Sequence, residues 1–127
     1  MCIRDSADAF DRASAKGTSV YALSRRGATS ALAARLAKVE NAADLAGGVS
    51  LKDKSPDVAE AMLDMSLDRQ IKQSRQLGAA VLAMLGRVGD RHSVRVEQAG
   101  FAVLKAPQVP SILVESGYIT NLGEESK

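Results

Sequence analysis

Residues 101–121 read FAVLKAPQVPSILVESGYITN, and the reading of this stretch decides the fold. It holds two short apolar runs, Phe101–Leu104 and Ile112–Val114, separated by a loop with prolines at 107 and 110. Apolar runs bounded by turn residues read as buried strands. The second run ends on a carboxylate, Glu115, followed by Ser116 and Gly117. A charge at the tip of a buried strand is costly unless it has a partner or a task. Ligands of open α/β sheets bind outside the carboxyl ends of the strands. Glu115 is therefore the strongest candidate for a chemical group. The linker between the runs is too short for a parallel crossover. Either the two are antiparallel neighbours, or the first is a minor strand and the second the central one.

Working outward, Thr18–Leu23 (TSVYAL) is rich in β-branched and aromatic residues and predicts a further strand. Thr29 or Ser30 can cap a helix whose apolar stripe is Leu32, Leu36, Val39 and Ala43, ending near Gly47-Gly48. Ser55-Pro56-Asp57 starts another helix, which runs to Leu85 as one long element or two joined ones. Its apolar positions include Val58, Met62, Met65, Ile71, Leu77, Val81, Leu82 and Leu85. Gly86 and Gly89 end it, and Asn121 is placed to cap a helix in the tail. Strand, helix, long helix, strand, strand implies an α/β fold, a mixed sheet flanked by helices. Residues 1–16 read as a polar surface segment.

Composition narrows the function. Charged residues make up 25% of the chain and the net charge is +2, without a basic stripe interleaved with aromatics, so nucleic acid is a poor partner. No apolar run approaches the ~20 residues of a membrane helix. With one cysteine, Cys2, and one histidine, His92, the chain holds no disulfide framework and no ordinary zinc set, which needs three or four ligands.

The run VEQAGFAVLKAPQVPSILVESGYITN at 96–121 resembles the C-terminal signature of zinc-dependent N-acetylmuramoyl-L-alanine amidases, the cell-wall hydrolases that separate dividing Gram-negative cells. Ala7-Asp8-Ala9-Phe10, residues 17–30 (GTSVYALSRRGATS), 40–51 (ENAADLAGGVSL) and 85–89 (LGRVG) resemble the same family in the same order. The resemblance implies a mixed sheet flanked by helices, one zinc held by two histidines and a glutamate, and a late-strand glutamate that assists catalysis. Glu115 matches that last position. The third zinc ligand would be a histidine at position 6, where this chain has Ser6. The other two ligands fall before residue 1, so the chain is expected to be an amidase catalytic domain truncated at its N-terminus. Residues 1–6 are expected to be a non-native leader, forming neither a strand nor a natural start. No zinc is expected to bind.

The resemblance also implies a regulatory helical insert over about residues 36–54. Glu40 is the candidate carboxylate that plugs the zinc until a LytM-type activator protein displaces it, with Asp44 as its rival. Implied further are peptidoglycan as substrate, hydrolysis of the amide between N-acetylmuramic acid and L-alanine, and a periplasmic location. The rival reading is a non-catalytic peptidoglycan- or divisome-binding module on the same scaffold. His92, in a charged connector, reads as a surface residue, and Asp8 either shapes the pocket or caps a turn.

Overall fold

The computed structural model describes residues 1–8, 16–46 and 57–118. Four strands form one mixed sheet: β1 (Cys2–Asp8), β2 (Ser19–Leu23), β3 (Glu97–Ala99) and β4 (Ser111–Tyr118), in the spatial order β1-β4-β2-β3. β4 lies parallel to β1 and antiparallel to β2, and β3 lies parallel to β2. Two helices, α1 (Ala31–Ala46) and α2 (Asp57–Leu85), connect β2 to β3. A parallel pair needs such a long crossover. The expected α/β class, a mixed sheet flanked by helices, is the observed one.

Helices cover both faces of the sheet. Val20 and Val114 are register partners, and with Ile112 they pack against Leu82 of α2. The adjacent partners Tyr21 and Leu113 belong to the opposite cluster, which takes in Leu36, Ala33 and Ala37 of α1 together with Phe101 and Leu104. Tyr21 meets Phe101 edge-on, with centroids 5.6 Å apart and planes at 62°. Such a pair adds about 0.5–1.5 kcal/mol beyond its burial. Both rings are fully buried, in a chain with few aromatics.

Several expectations are corrected. Residues 2–6 are not outside the fold: they are the first part of β1, laid along β4. Their side-chain pattern gave no strand signal, because what holds them is the backbone edge of a strand more than a hundred residues away. Phe101–Leu104 is not a strand. Ala102–Leu104 forms a single 3-10 turn, and the strand lies just upstream at Glu97–Ala99. Asn41 of α1 explains this: its Oδ1 accepts from the Ala102 N–H at 2.8 Å, and its Nδ2 donates to the Gly100 carbonyl at 2.9 Å. Backbone groups that a ladder would use are thus committed to a helix side chain. The antiparallel pairing of the two runs is therefore ruled out; β4 is the central strand and pairs with β1 and β2.

Ser30 caps α1 as expected, its Oγ accepting from the Ala33 N–H at 3.0 Å while donating to Glu97 at 2.7 Å. The buried stripe of α1 is rotated from the expected one. Ala33, Leu36 and Ala37 are buried, whereas Val39 is 47% exposed. Alanines carry little weight in an apolar stripe, yet they let α1 approach β3 and the 3-10 turn, against which it mainly packs. α2 is one continuous helix, and its Met65 is 76% exposed rather than in the core. The helix breaks at Gly47-Gly48 and Ser55-Pro56 and the cap at Asn121 lie outside the described residues.

Gly17 ties the start of β2 to the segment after α2. Its φ is +85°, and a Cβ there would sit 2.8 Å from the His92 nitrogen and 2.9 Å from the Arg91 carbonyl carbon. Thr18 donates to the Asp90 carbonyl and accepts from the His92 N–H, each at 2.9 Å. Gly27 also has positive φ (+109°), but a Cβ there would meet nothing within 4 Å. Gly17→Ala is expected to lower stability by about 2–4 kcal/mol, combining the left-handed penalty with backbone collision. Gly27→Ala is expected to lose only about 1–2 kcal/mol. Urea midpoints of the two variants separate the contributions, and equal losses would refute the close approach.

Candidate active site

β4 carries Glu115 into the middle of the sheet, not to its tip. The strand continues to Tyr118, so the expected ending at Glu115 is corrected. Glu115 is 0% exposed. Its register partners are Ser6 on β1 and Ser19 on β2. The β1–β4 register then slips, with Ala7 opposite Gly117, so that Ser116 is the extra residue of a bulge. Bulges bend a strand and re-aim side chains, and they are frequent beside active sites. Thr18 holds the bulged region from the other side, its Oγ1 donating to the Ser116 carbonyl at 3.4 Å. Strand alternation puts Glu115 on the face of Leu113, Ser19 and Tyr21, the α1 side of the sheet. A fully buried carboxylate between two serine positions, at a bulge in an apolar strand, is an unusual use of a core position.

The entry of β4 into the sheet is fixed by a polar row on α2. Ser66, Gln70 and Ser74 follow one another at four-residue spacing, on one face of the helix. Ser66 Oγ donates to the Pro107 carbonyl at 2.9 Å. Gln70 Nε2 donates to the Leu104 and Val109 carbonyls at 3.3 and 3.1 Å. Ser74 Oγ accepts from the Ser111 N–H at 2.8 Å, and both residues are buried. The whole connector 104–111 is thereby bolted to α2. Sequence reasoning missed these residues, although three polar side chains at four-residue spacing in an otherwise apolar stripe were the available signal.

Of the other sequence candidates, Ser6 is brought beside Glu115 by register. Glu40 is half-buried on α1, next to the Asn41 clamp, on a helix that packs on β3 and the 3-10 turn. His92 is exposed, with Nδ1 3.2 Å from the Lys16 carbonyl, at the Gly17 junction. Asp8 belongs to β1, opposite Tyr118, and Asp44 to α1. Among the described residues no group of three or more His, Cys, Asp or Glu side chains is placed to hold a metal ion. The single histidine of the sequence also precludes a two-histidine set drawn from this chain.

An α/β sheet with a buried late-strand carboxylate is the architecture that the sequence resemblance implied. Residues 6–127 match the Amidase_3 family, N-acetylmuramoyl-L-alanine amidase, and the chain belongs to that family. It is 52% identical over 123 residues to N-acetylmuramoyl-L-alanine amidase AmiC of Escherichia coli O6:H1, covering 95% of this chain and 29% of that protein. It is 47% identical to AmiC of Neisseria meningitidis serogroup B over 94% of this chain and 28% of the relative. It is 44% identical to AmiA of Escherichia coli K12, over 94% of this chain and 41% of the relative. The chain thus spans well under half the length of these relatives.

Ser74→Ala removes the acceptor of the buried Ser111 N–H. The expected cost is about 1–3 kcal/mol. Chemical denaturation measures it, and Ser111 amide exchange is expected to rise. An unchanged midpoint and unchanged exchange would show that this bond does not hold β4.

Proposed function

We propose that the chain forms part of an enzyme that hydrolyses the amide between N-acetylmuramic acid and L-alanine in peptidoglycan, in the periplasm. Glu115 is its proton-transfer residue. The observation that carries this reading is the complete burial of Glu115 on a bulged central strand, beside position 6. Water adds to the amide carbonyl carbon, forming a C–O bond, and the C–N bond then breaks. The Glu115 carboxylate takes the proton from the attacking water and delivers it to the departing L-alanine nitrogen. Such general acid–base work typically contributes about 10²–10⁴-fold. Burial suits the task, since a dry site strengthens the interaction of the carboxylate with charge that develops in the reaction.

The family implies zinc, but the residues of this chain do not fit a zinc set of two histidines and a glutamate. Ser6 stands at the ligand position beside Glu115, and a neutral hydroxyl is a poor zinc donor compared with imidazole, thiolate or carboxylate. The 127-residue chain by itself is therefore proposed to be inactive and to hold zinc well below one equivalent.

The test is a chimera in which residues 7–127 replace the matching portion of the Escherichia coli O6:H1 AmiC relative. The chimera is expected to release stem peptides from purified peptidoglycan. Glu115→Gln is expected to reduce that release by about 10²–10⁴-fold with zinc content unchanged. Loss of zinc in the variant would instead make Glu115 a ligand. Stoichiometric zinc together with amide cleavage by the 127-residue chain alone would overturn the ligand argument. An inactive, folded chimera whose residues 7–127 still bind peptidoglycan would favour a binding module.

Regulation by Glu40 is a separate proposal. Glu40 is half-buried, beside the side chain that clamps α1 to residues 100–102. It is the candidate for a carboxylate that keeps the site closed until an activator protein moves the insert. In the chimera, Glu40→Ala is expected to raise activator-free cleavage severalfold, whereas the same change at Asp44 is not. The reverse ranking would transfer the role to Asp44.

A further inference from the structure

The sheet face opposite Glu115 is covered by the second half of α2, which borders a groove that the amidase reading does not use. The groove encloses about 580 Å³ between the second half of the helix and residues 91–96. Four cations line it: Lys72 and Arg75 from α2, and Arg91 and Arg95 from the facing segment. No acidic side chain is among the lining residues. Among the described residues, the ion pairs are made by Arg25 with Asp64 and Asp68, and none of these four cations takes part in one. The floor between them is apolar, made by buried Leu82 and half-buried Val96, with the more exposed Ala79 and Ala83 beside them.

Lys72, Arg75, Ala79 and Ala83 lie on a single exposed stripe of α2. At 1.5 Å per residue the stripe is roughly 17 Å long, enough for a short peptide segment and too long for one small anion. Arg91 passes close to the end of the helix. A Cβ on Gly86 would lie 2.7 Å from its Nε, so the guanidinium stem crosses the C-terminal turn of α2, where a cation is favoured. Four like charges around one groove repel one another, and an anionic occupant relieves that repulsion.

We propose that this groove binds a carboxylate-rich peptide segment of a partner protein. Arginine forks pair bidentately with carboxylates, and the apolar floor accommodates small apolar side chains between the acidic ones. Concavity argues against a lipid surface, whose headgroups present a plane. The lining carries no aromatic ring on which a nucleic-acid base would stack. The site faces away from Glu115, so partner binding and amide hydrolysis are separable.

The test uses the whole chain and a short fluorescent peptide alternating glutamate and alanine, followed by anisotropy. Binding is expected, with a steep loss as salt rises. The R75E/R95E double variant is expected to weaken it at least about tenfold. Ala79→Leu, which fills the groove without changing charge, is expected to weaken it as well. Circular dichroism checks that each variant is folded, and Ala79→Leu decides if the double variant is not. Undiminished affinity in the folded variants overturns the proposal. So does absence of peptide binding when phosphatidylglycerol vesicles or inorganic phosphate bind in its place. None of these readouts depends on amidase activity, so failure here leaves the role of Glu115 standing.

Discussion

The row Ser66, Gln70, Ser74 on α2 is the constraint on which the rest of the structure depends. Each side chain bonds the backbone of the connector 104–111, and the last of them takes the first N–H of β4. Prolines at 107 and 110 remove two N–H donors from the connector, which forms only isolated turn bonds of its own. The Leu104 and Val109 carbonyls also accept from the Ala106 N–H and the Ser111 Oγ, but the Pro107 carbonyl and the buried Ser111 N–H are held by the row, and losing either bond would cost about 1–3 kcal/mol. The polar row removes that cost and in doing so sets the point at which β4 enters the sheet. Everything that β4 carries, Glu115 included, follows from that entry point.

From there the site is a matter of register. β4 sits between β1 and β2, so residues distant in sequence, Ser6 and Ser19, become the neighbours of Glu115. The bulge at Ser116 shifts the β1–β4 pairing by one residue just beyond the carboxylate. Burying a carboxylate in a sheet works against stability. The role proposed for Glu115 would account for a carboxylate kept in the central strand, and the chain belongs to the Amidase_3 family. The same register also shows what the chain lacks: the position beside Glu115 that resemblance assigns to a zinc-binding histidine is a serine.

The two helices divide the molecule's surface by character. α1 approaches the sheet through alanines and is fastened by Asn41 to the turn at Gly100–Ala102. α2 gives one side to the core and the polar row, and it leaves Lys72 and Arg75 facing Arg91 and Arg95 across a groove. One helix thus fixes the entry of β4 and presents a basic surface outward. Gly78 makes the inner packing possible, since a Cβ there would sit 3.1 Å from Val96 and 3.2 Å from Val20.

The sequence by itself determined the α/β class, the strand at Ser19–Leu23, the Ser30 cap, the long helix to Leu85 and the presence of a carboxylate in the apolar run of β4. These are local signals: period, caps, breakers and a charge among apolar residues. Tertiary structure alone decided that residues 2–8 form a strand, because a parallel partner arrives only after the chain has folded back. It decided that the Phe101 run is a 3-10 turn, because Asn41 competes for the backbone groups a strand would use. It also made core residues of Gln70 and Ser74, whose polarity alone reads as surface. Backbone pairing and side-chain-to-backbone bonds between distant segments leave no period in a sequence, and in this protein they are what bring position 6 to Glu115.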